Sequence, residues 1–142
     1  MAHLLDGDAL LARAEAALAV ALPDALGVEF VDPSDPLRGV AFEVAGIAVT
    51  PAATLQAAAL AAALELAGYL AVLPTLTAAE HAVTHQISTQ YLRAGTVGQR
   101  VRVRAELVRR TRALAFVAVT AERETDGVVL AQGQITKSVV EF

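Results

Sequence analysis

The rhythm of apolar and polar positions changes several times along the chain. In residues 8–22, Leu10, Leu11, Ala14, Leu18 and Ala21 recur at helical spacing. This predicts an amphipathic helix, with Asp6 or Asp8 placed to cap it and Pro23 and Gly27 placed to end it. The run "DPSDP" at 32–36 is turn chemistry. Over 38–49 the period falls to two, with Val40, Phe42 and Val44 alternating against Ala41, Glu43 and Ala45, a strand signal. Then the alternation stops. "TLQAAALAAALELAGYLAVL" (54–73) is apolar on every side, with Glu65 its one charge. That predicts a buried helix, starting near Thr50-Pro51 or near Thr54 and ending near Pro74. Period two then returns four times, over 83–92, 99–108, 113–123 and 128–140. In the second of these Val101, Val103, Ala105 and Leu107 face one way, and Arg100, Arg102, Arg104 and Glu106 the other. "ETDG" supplies an Asp-Gly hairpin signal before the last.

The order is helix, strand, long buried helix, then four strands expected to pair as a meander. With no internal repeat and no linker, residues 1–142 read as a single domain of the α+β class, an antiparallel five-stranded sheet against one long helix. One face of one sheet cannot satisfy a helix that is apolar all round. Either the sheet wraps around it or a second subunit covers its other side. Composition points the same way. The chain is 56% hydrophobic and 18% charged, against roughly 25% charged in ordinary soluble domains, so part of its surface is expected to be shared with another copy.

The totals also exclude chemistry. There is no cysteine, hence no disulfide, thiolate metal site or thiol nucleophile. A net charge of −4 gives no footprint for nucleic acid. The helix is long enough to raise the question of a membrane span, but Glu65 would sit near the bilayer centre and no Lys or Arg flanks the segment. With no basic, apolar leader at the N-terminus, a cytoplasmic protein without membrane attachment is expected. His81 and His85 are four apart where the chain enters a strand, with no third ligand in view, so no metal is expected. The Arg100, Arg102 and Arg104 face reads as a solvated strand face. Together with Arg109, Arg110 and Arg112 it also offers cations to phosphate groups.

Strand, buried helix and antiparallel strands in this order resemble the hotdog fold, and specifically the thioesterases of the phenylacetate-pathway (PaaI-like) type, over about residues 38–140. That family's helix start reads roughly Asn-x-x-Gly-Thr-x-His-Gly-Gly, with an acid eight residues after the first Gly of the pair. "TPAATLQAAALAAALE" fits the frame from Thr50 to Glu65. Thr50 falls at the Asn, Gln56 at the His, Ala57 and Ala58 at the Gly pair, and Glu65 at the acid. "YLRAGTVGQRVRVRAELV" resembles the family's strand entry, and "LAFVAV" and "VLAQGQITK" its last two strands.

The resemblance implies a sheet wrapped around the helix and an acyl-CoA thioesterase acting as a homodimer or homotetramer. No cofactor is implied beyond coenzyme A as part of the substrate. Glu65 would activate water, and burial in the apolar helix would raise its pKa toward the range of a base working at neutral pH. The N–H of Ala57 would hold the oxyanion at the helix N-terminus. Thr84 would orient water. Thr50, Gln56, Ala58 and Arg93 would contact substrate. In this family the site forms between subunits, the acid facing the oxyanion donor of the opposite helix. His-Gly-Gly has become Gln56-Ala57-Ala58 here, which opens a second reading: a hotdog protein that binds an acyl or aromatic ligand, or a partner, without turning it over. For Glu65 itself the alternative is a buried acid paired with a His or Arg for structure.

Overall fold

In the computed structural model, which describes residues 2–142, the N-terminal helical region is two helices rather than one. Helix α1 spans Gly7–Ala19 and α2 spans Ala21–Leu26, with Val20 extended between them (φ −73°, ψ 162°). Pro23 is the cause. In a continuous helix its ring would meet the carbonyl of Ala19, four residues back, so the chain breaks first and Pro23 sits in the first turn of α2. Gly27, left-handed at φ 69°, closes α2 as expected. Asp6 holds the N-cap position of α1 without a side-chain capping bond.

The sheet has one more strand than the pattern suggests. Its strands are β1 (Glu29–Phe30), β2 (Val40–Glu43), β3 (Glu80–Tyr91), β4 (Arg100–Arg110), β5 (Leu114–Arg123) and β6 (Val129–Glu141). All ladders are antiparallel, in the spatial order β1-β2-β4-β5-β6-β3. Two residues are too short to show a period, which is why β1 escapes a sequence reading. β2 is shorter than the 38–49 run because Gly46, at φ 55°, turns the chain into a 3₁₀ turn. At the other end Gly39 is required: at φ 102°, a Cβ there would lie 2.4 Å from the Val103 carbonyl oxygen of the adjacent strand.

The four-strand meander is corrected. β4, β5 and β6 do follow one another, but β3 pairs with β6 and stands at the far edge. The segment between β3 and β4 does not close a hairpin, its one tight turn being Thr96–Gln99 with Gly98 at φ 88°. It crosses the helix entrance instead, where Gly95 accepts from the Leu55 N–H (2.8 Å) and the Val97 N–H donates to Ala53 (3.1 Å).

Around this path the sheet wraps the long helix α3, Ala57–Val72, as in the hotdog fold. Leu60, Leu64, Ala67 and Leu70 of α3 meet Val101, Val103, Val117, Val119 and Ile135 in one core. Gly68 lets α3 approach β6, since an added Cβ would lie 3.3 Å from Ile135 Cδ1. By length and mean hydropathy (1.7), Ala57–Thr75 is apolar enough to cross a membrane. Here that apolarity is accounted for by the core. The covering is nonetheless incomplete: Ala57 and Ala58 are exposed, and Ala61, Ala62 and Glu65 are only partly covered.

Candidate active site

Glu65 is not buried within one chain. Its side chain is 47% exposed, so the burial expected for it is absent in the single subunit. Its partner is neither His nor Arg. Thr84 Oγ1 donates to Glu65 Oε1 at 2.6 Å, and Lys137 Nζ lies 3.4 Å from the same oxygen and 3.2 Å from Thr84 Oγ1. All of these contacts converge on Oε1; Oε2 has no partner among the described residues.

Strand geometry builds this cluster. Thr84 and Lys137 are direct cross-strand partners in the β3–β6 ladder, and a bulge follows at once between Thr84 and Gln86. Cross-strand partners share a face, and a bulge re-aims the side chains beside it. Ile135 and Lys137 follow the inward period of β6 toward α3, and Lys137 is 1% exposed. Burial pushes the Lys137 ammonium below the usual lysine range, and the neighbouring Glu65 carboxylate pulls it part of the way back. The Tyr69 ring lies 5.7 Å from Nζ.

Glu65 also stands at a cavity of about 540 Å³ between α1, α2, α3 and β3, with walls that include Ala17, Val20, Leu66 and Tyr69. His81 lines it too, its Nδ1 3.2 Å from the Tyr69 hydroxyl. Burial, then the charges of Arg13 and Lys137, hold the His81 imidazole below its ordinary pKa. Arg13 is held by two carbonyls, Glu80 at 3.0 Å and Ala78 at 3.1 Å. His85 faces Ser138 (3.3 Å) rather than His81's surroundings.

The start of α3 forms a second locus. Gln56 is the N-cap residue and its side chain makes no capping bond; its N–H donates to the Ala48 carbonyl (2.8 Å). The N–H groups of Ala57 and Ala58 have no acceptor among the described residues. They are exposed donors at the positive end of a helix dipole. Ala57 and Arg93 line one small cavity of about 260 Å³, and the Tyr91 hydroxyl donates to the Ala57 carbonyl at 3.3 Å. Neither Thr50 nor Thr54 caps the helix. The two hydroxyls bond each other (2.7 Å), and Thr50 Oγ1 accepts from the Ala52 N–H (3.2 Å) to close a turn. Within that turn Ala53 is left-handed, at φ 61°.

The sequence-predicted residues therefore fall into two groups. Glu65 and Thr84 meet; Ala57, Ala58, Gln56 and Arg93 gather elsewhere. At about 1.5 Å rise per residue, the eight residues from Ala57 to Glu65 place the groups about 12 Å apart along the helix. Lys137 was missed. Its signal was present: it is a charge at an inward position of an alternating strand. The arginine face is largely neutralised: Arg100 pairs with Glu29 and with Glu124 (2.9 Å), and Arg102 with Glu122 (3.1 Å).

Known proteins share this architecture. A thioesterase of Haemophilus influenzae superposes with a TM-score of 0.79 at 18% identity, over 98% of this chain and 93% of that one. A mutant thioesterase of Pseudomonas aeruginosa gives 0.81 at 20% identity, over 99% and 100%. A Bacillus halodurans protein crystallised with CoA gives 0.77 at 21% identity, over 92% and 83%. No curated protein matches the chain. At these identities the likeness shows the hotdog fold. The family follows from the sequence itself: the thioesterase superfamily model matches residues 53–130, more than half of the chain, from the helix entrance through the start of β6. The chain belongs to the thioesterase superfamily.

Proposed function

We propose that the protein is an acyl-CoA thioesterase of the PaaI-like type, acting on a small or aromatic acyl group. The observation that carries this is a carboxylate fixed at one oxygen and free at the other. Thr84 holds Glu65 Oε1 at 2.6 Å while Oε2 has no partner among the described residues, and Glu65 lines an apolar cavity of about 540 Å³. A positioned carboxylate with a free oxygen is what general-base activation of water requires. The water oxygen forms a bond to the thioester carbon as its proton passes to Glu65. The C–S bond then breaks, and the proton leaves with the coenzyme A thiol. The apolar cavity suits an acyl chain or ring, and Arg93, beside the helix start, suits a negatively charged carrier. Thr50, Gln56 and Ala58, at or just before the same helix start, are the further substrate contacts of this reading. Proteins of this fold have been crystallised with CoA and with acetyl-CoA, which supports a thioester of coenzyme A as the substrate.

The working unit is a homo-oligomer, at least a dimer. The oxyanion donor must lie about 3 Å from the thioester oxygen and the base about 3 Å from the water that attacks the same carbonyl, yet Ala57 and Glu65 of one chain are about 12 Å apart along their helix. A second copy with its helix antiparallel removes the difficulty, its Ala57 facing Glu65 of the first. The twelve-residue strand β3 supports this arrangement. It is an open edge with Val83 (42%), Ile87 (39%) and Tyr91 (46%) exposed, and such an edge pairs readily with another.

Gln56-Ala57-Ala58 at the helix start supports a second reading, ligand binding without turnover. A hydrolysis screen over short, long and aromatic acyl-CoAs, with Glu65→Gln as control, separates the two. Turnover lost in the control supports the enzyme. Saturable binding with no thiol release in any wild-type reaction refutes it.

A further inference from the structure

The chain has ten arginines and one lysine. That lysine, Lys137, is the single buried charged side chain among the described residues. We propose that Lys137 is a positioning residue for Glu65: its ammonium anchors Oε1, directly and through Thr84, and so leaves Oε2 to take the proton from water. This rests on the thioesterase reading above.

The geometry argues it in three steps. Glu65 is half exposed on α3, and a glutamate there samples several rotamers unless something holds it. Lys137 rises from the interior of the sheet, where its own stem is fixed by packing, and Nζ reaches both Glu65 Oε1 (3.4 Å) and Thr84 Oγ1 (3.2 Å). The Thr84 hydroxyl accepts from the lysine and donates to the glutamate (2.6 Å), so a rigid cross-strand pair grips one carboxylate oxygen twice.

The choice of lysine follows from space. The stem passes opposite Gly68, where a Cβ would lie 3.7 Å from Lys137 Cε. A compact three-donor head on a slim stem fits there, whereas an arginine fork would bring five donors needing partners. Three donors here meet two oxygens and the face of Tyr69.

Burial is the third step. If the pair served only stability, an apolar residue at this inward position would serve as well or better. A buried cation behind a half-exposed carboxylate instead fixes which of its oxygens is held and which is left open. The other titratable groups facing Glu65 are Arg13, Tyr69 and His81 across the cavity, and none of them bonds to it.

Lys137→Met tests the proposal, because methionine retains the stem and leaves Glu65 and Thr84 open to water. We expect a folded protein whose kcat falls about tenfold or more, part of the 10²–10⁴ a positioned base supplies, with KM within twofold. Unchanged kcat in a folded variant would overturn the proposal. A readout independent of activity is available because there is one lysine. Protein labelled with ¹³C-lysine shows a single side-chain Cε signal, and its titration should move to lower pH in Glu65→Gln. A signal that titrates identically in both proteins would show that the two groups are not coupled, and would sink the proposal whatever the activity. A shifted signal with no thioester hydrolysed by wild type would sink the thioesterase reading, and with it the catalytic part of this role.

Discussion

Glu65→Gln removes one function of the side chain and leaves its anchoring almost intact. The amide oxygen still accepts from Thr84, which sits 2.6 Å from Oε1 in the wild type. What disappears is the basic oxygen and the negative charge beside Lys137. Loss of a positioned general base costs about 10²–10⁴ in rate, so kcat should fall by at least about a hundredfold at neutral pH. The stability effect follows from an asymmetry in burial. A buried carboxylate in an apolar helix would make the amide neutral or stabilising. Here the acid is 47% exposed and the base 1% exposed, so the group left uncompensated is the ammonium. Breaking a fully buried pair costs about 3–5 kcal/mol. Solvent reaches the glutamate side, where exposed pairs are worth about 1 kcal/mol or less, and a loss of about 1 kcal/mol at pH 7 is expected.

The pH dependence carries the sign. The folded pKa of Lys137 lies below its ordinary 10.5, and Glu65 opposes that shift. Between the two values the unfolded chain binds more protons than the folded one, so wild-type stability rises with pH there. Glu65→Gln lowers the folded pKa further and widens that window toward neutral pH. The stability gap between the two proteins should therefore narrow as the pH approaches 10.5. Urea unfolding at several pH values, alongside initial rates of thiol release, measures both effects. A variant that keeps more than a tenth of the wild-type rate, or that is more stable than wild type at pH 7, would refute the reasoning.

Sedimentation at micromolar concentration should show a species of at least twice 14.7 kDa, and Ile87→Lys on the β3 edge should shift it toward the monomer with loss of activity; a stable wild-type monomer would count against the two-chain site. Ala53→Gly should stabilise the protein by about 0.5–1 kcal/mol in urea, because an L-residue at φ 61° carries about 1–2 kcal/mol of strain, partly offset by the chain entropy of glycine; a loss of stability would mean the Ala53 methyl packs usefully. Ala57→Gly keeps the main-chain donor and removes the methyl beside it, so kcat/KM should rise by up to about tenfold, a fraction of the 10²–10³ one oxyanion donor supplies. A fall in a folded Ala57→Gly protein would show a site built around the alanine.

The long elements were legible because each has a period. The apolarity of 54–73, with Glu65 near its middle, marks a core helix rather than a membrane span, and the alternation of 99–108 marks a strand. What escaped had no local signal or was decided by tertiary contact. β1 is two residues long. The place of β3 at the sheet edge depends on which strand the chain meets after crossing the helix entrance, and period two is silent on pairing. The break at Val20 was legible in principle, because Pro23 forbids a continuous helix through Ala19. The candidate site divided in the same way. Glu65 stood out as the one charge in an apolar run. Lys137 did not, because a lysine in a strand normally marks the solvent face, and only the register Ile135, Lys137 places it inward.

The exposure of Glu65 turns the reading of the helix around. In the sequence Glu65 is a carboxylate in a helix expected to be buried on every side. In the folded chain the sheet covers most of α3, but the side bearing Ala57, Ala58, Ala61, Ala62 and Glu65 is left partly open. Small residues on an open helix face leave room for close approach, and both candidate residues, Ala57 and Glu65, belong to that face. The open edge of β3 carries Thr84, so a copy docking there would close over the base as it brought its own helix start. Burial of Glu65 would then arise on assembly, with Lys137 already in place beneath it. On this view the apolarity that predicted self-association and the acid that predicted chemistry have one cause: the site is finished only when two chains meet.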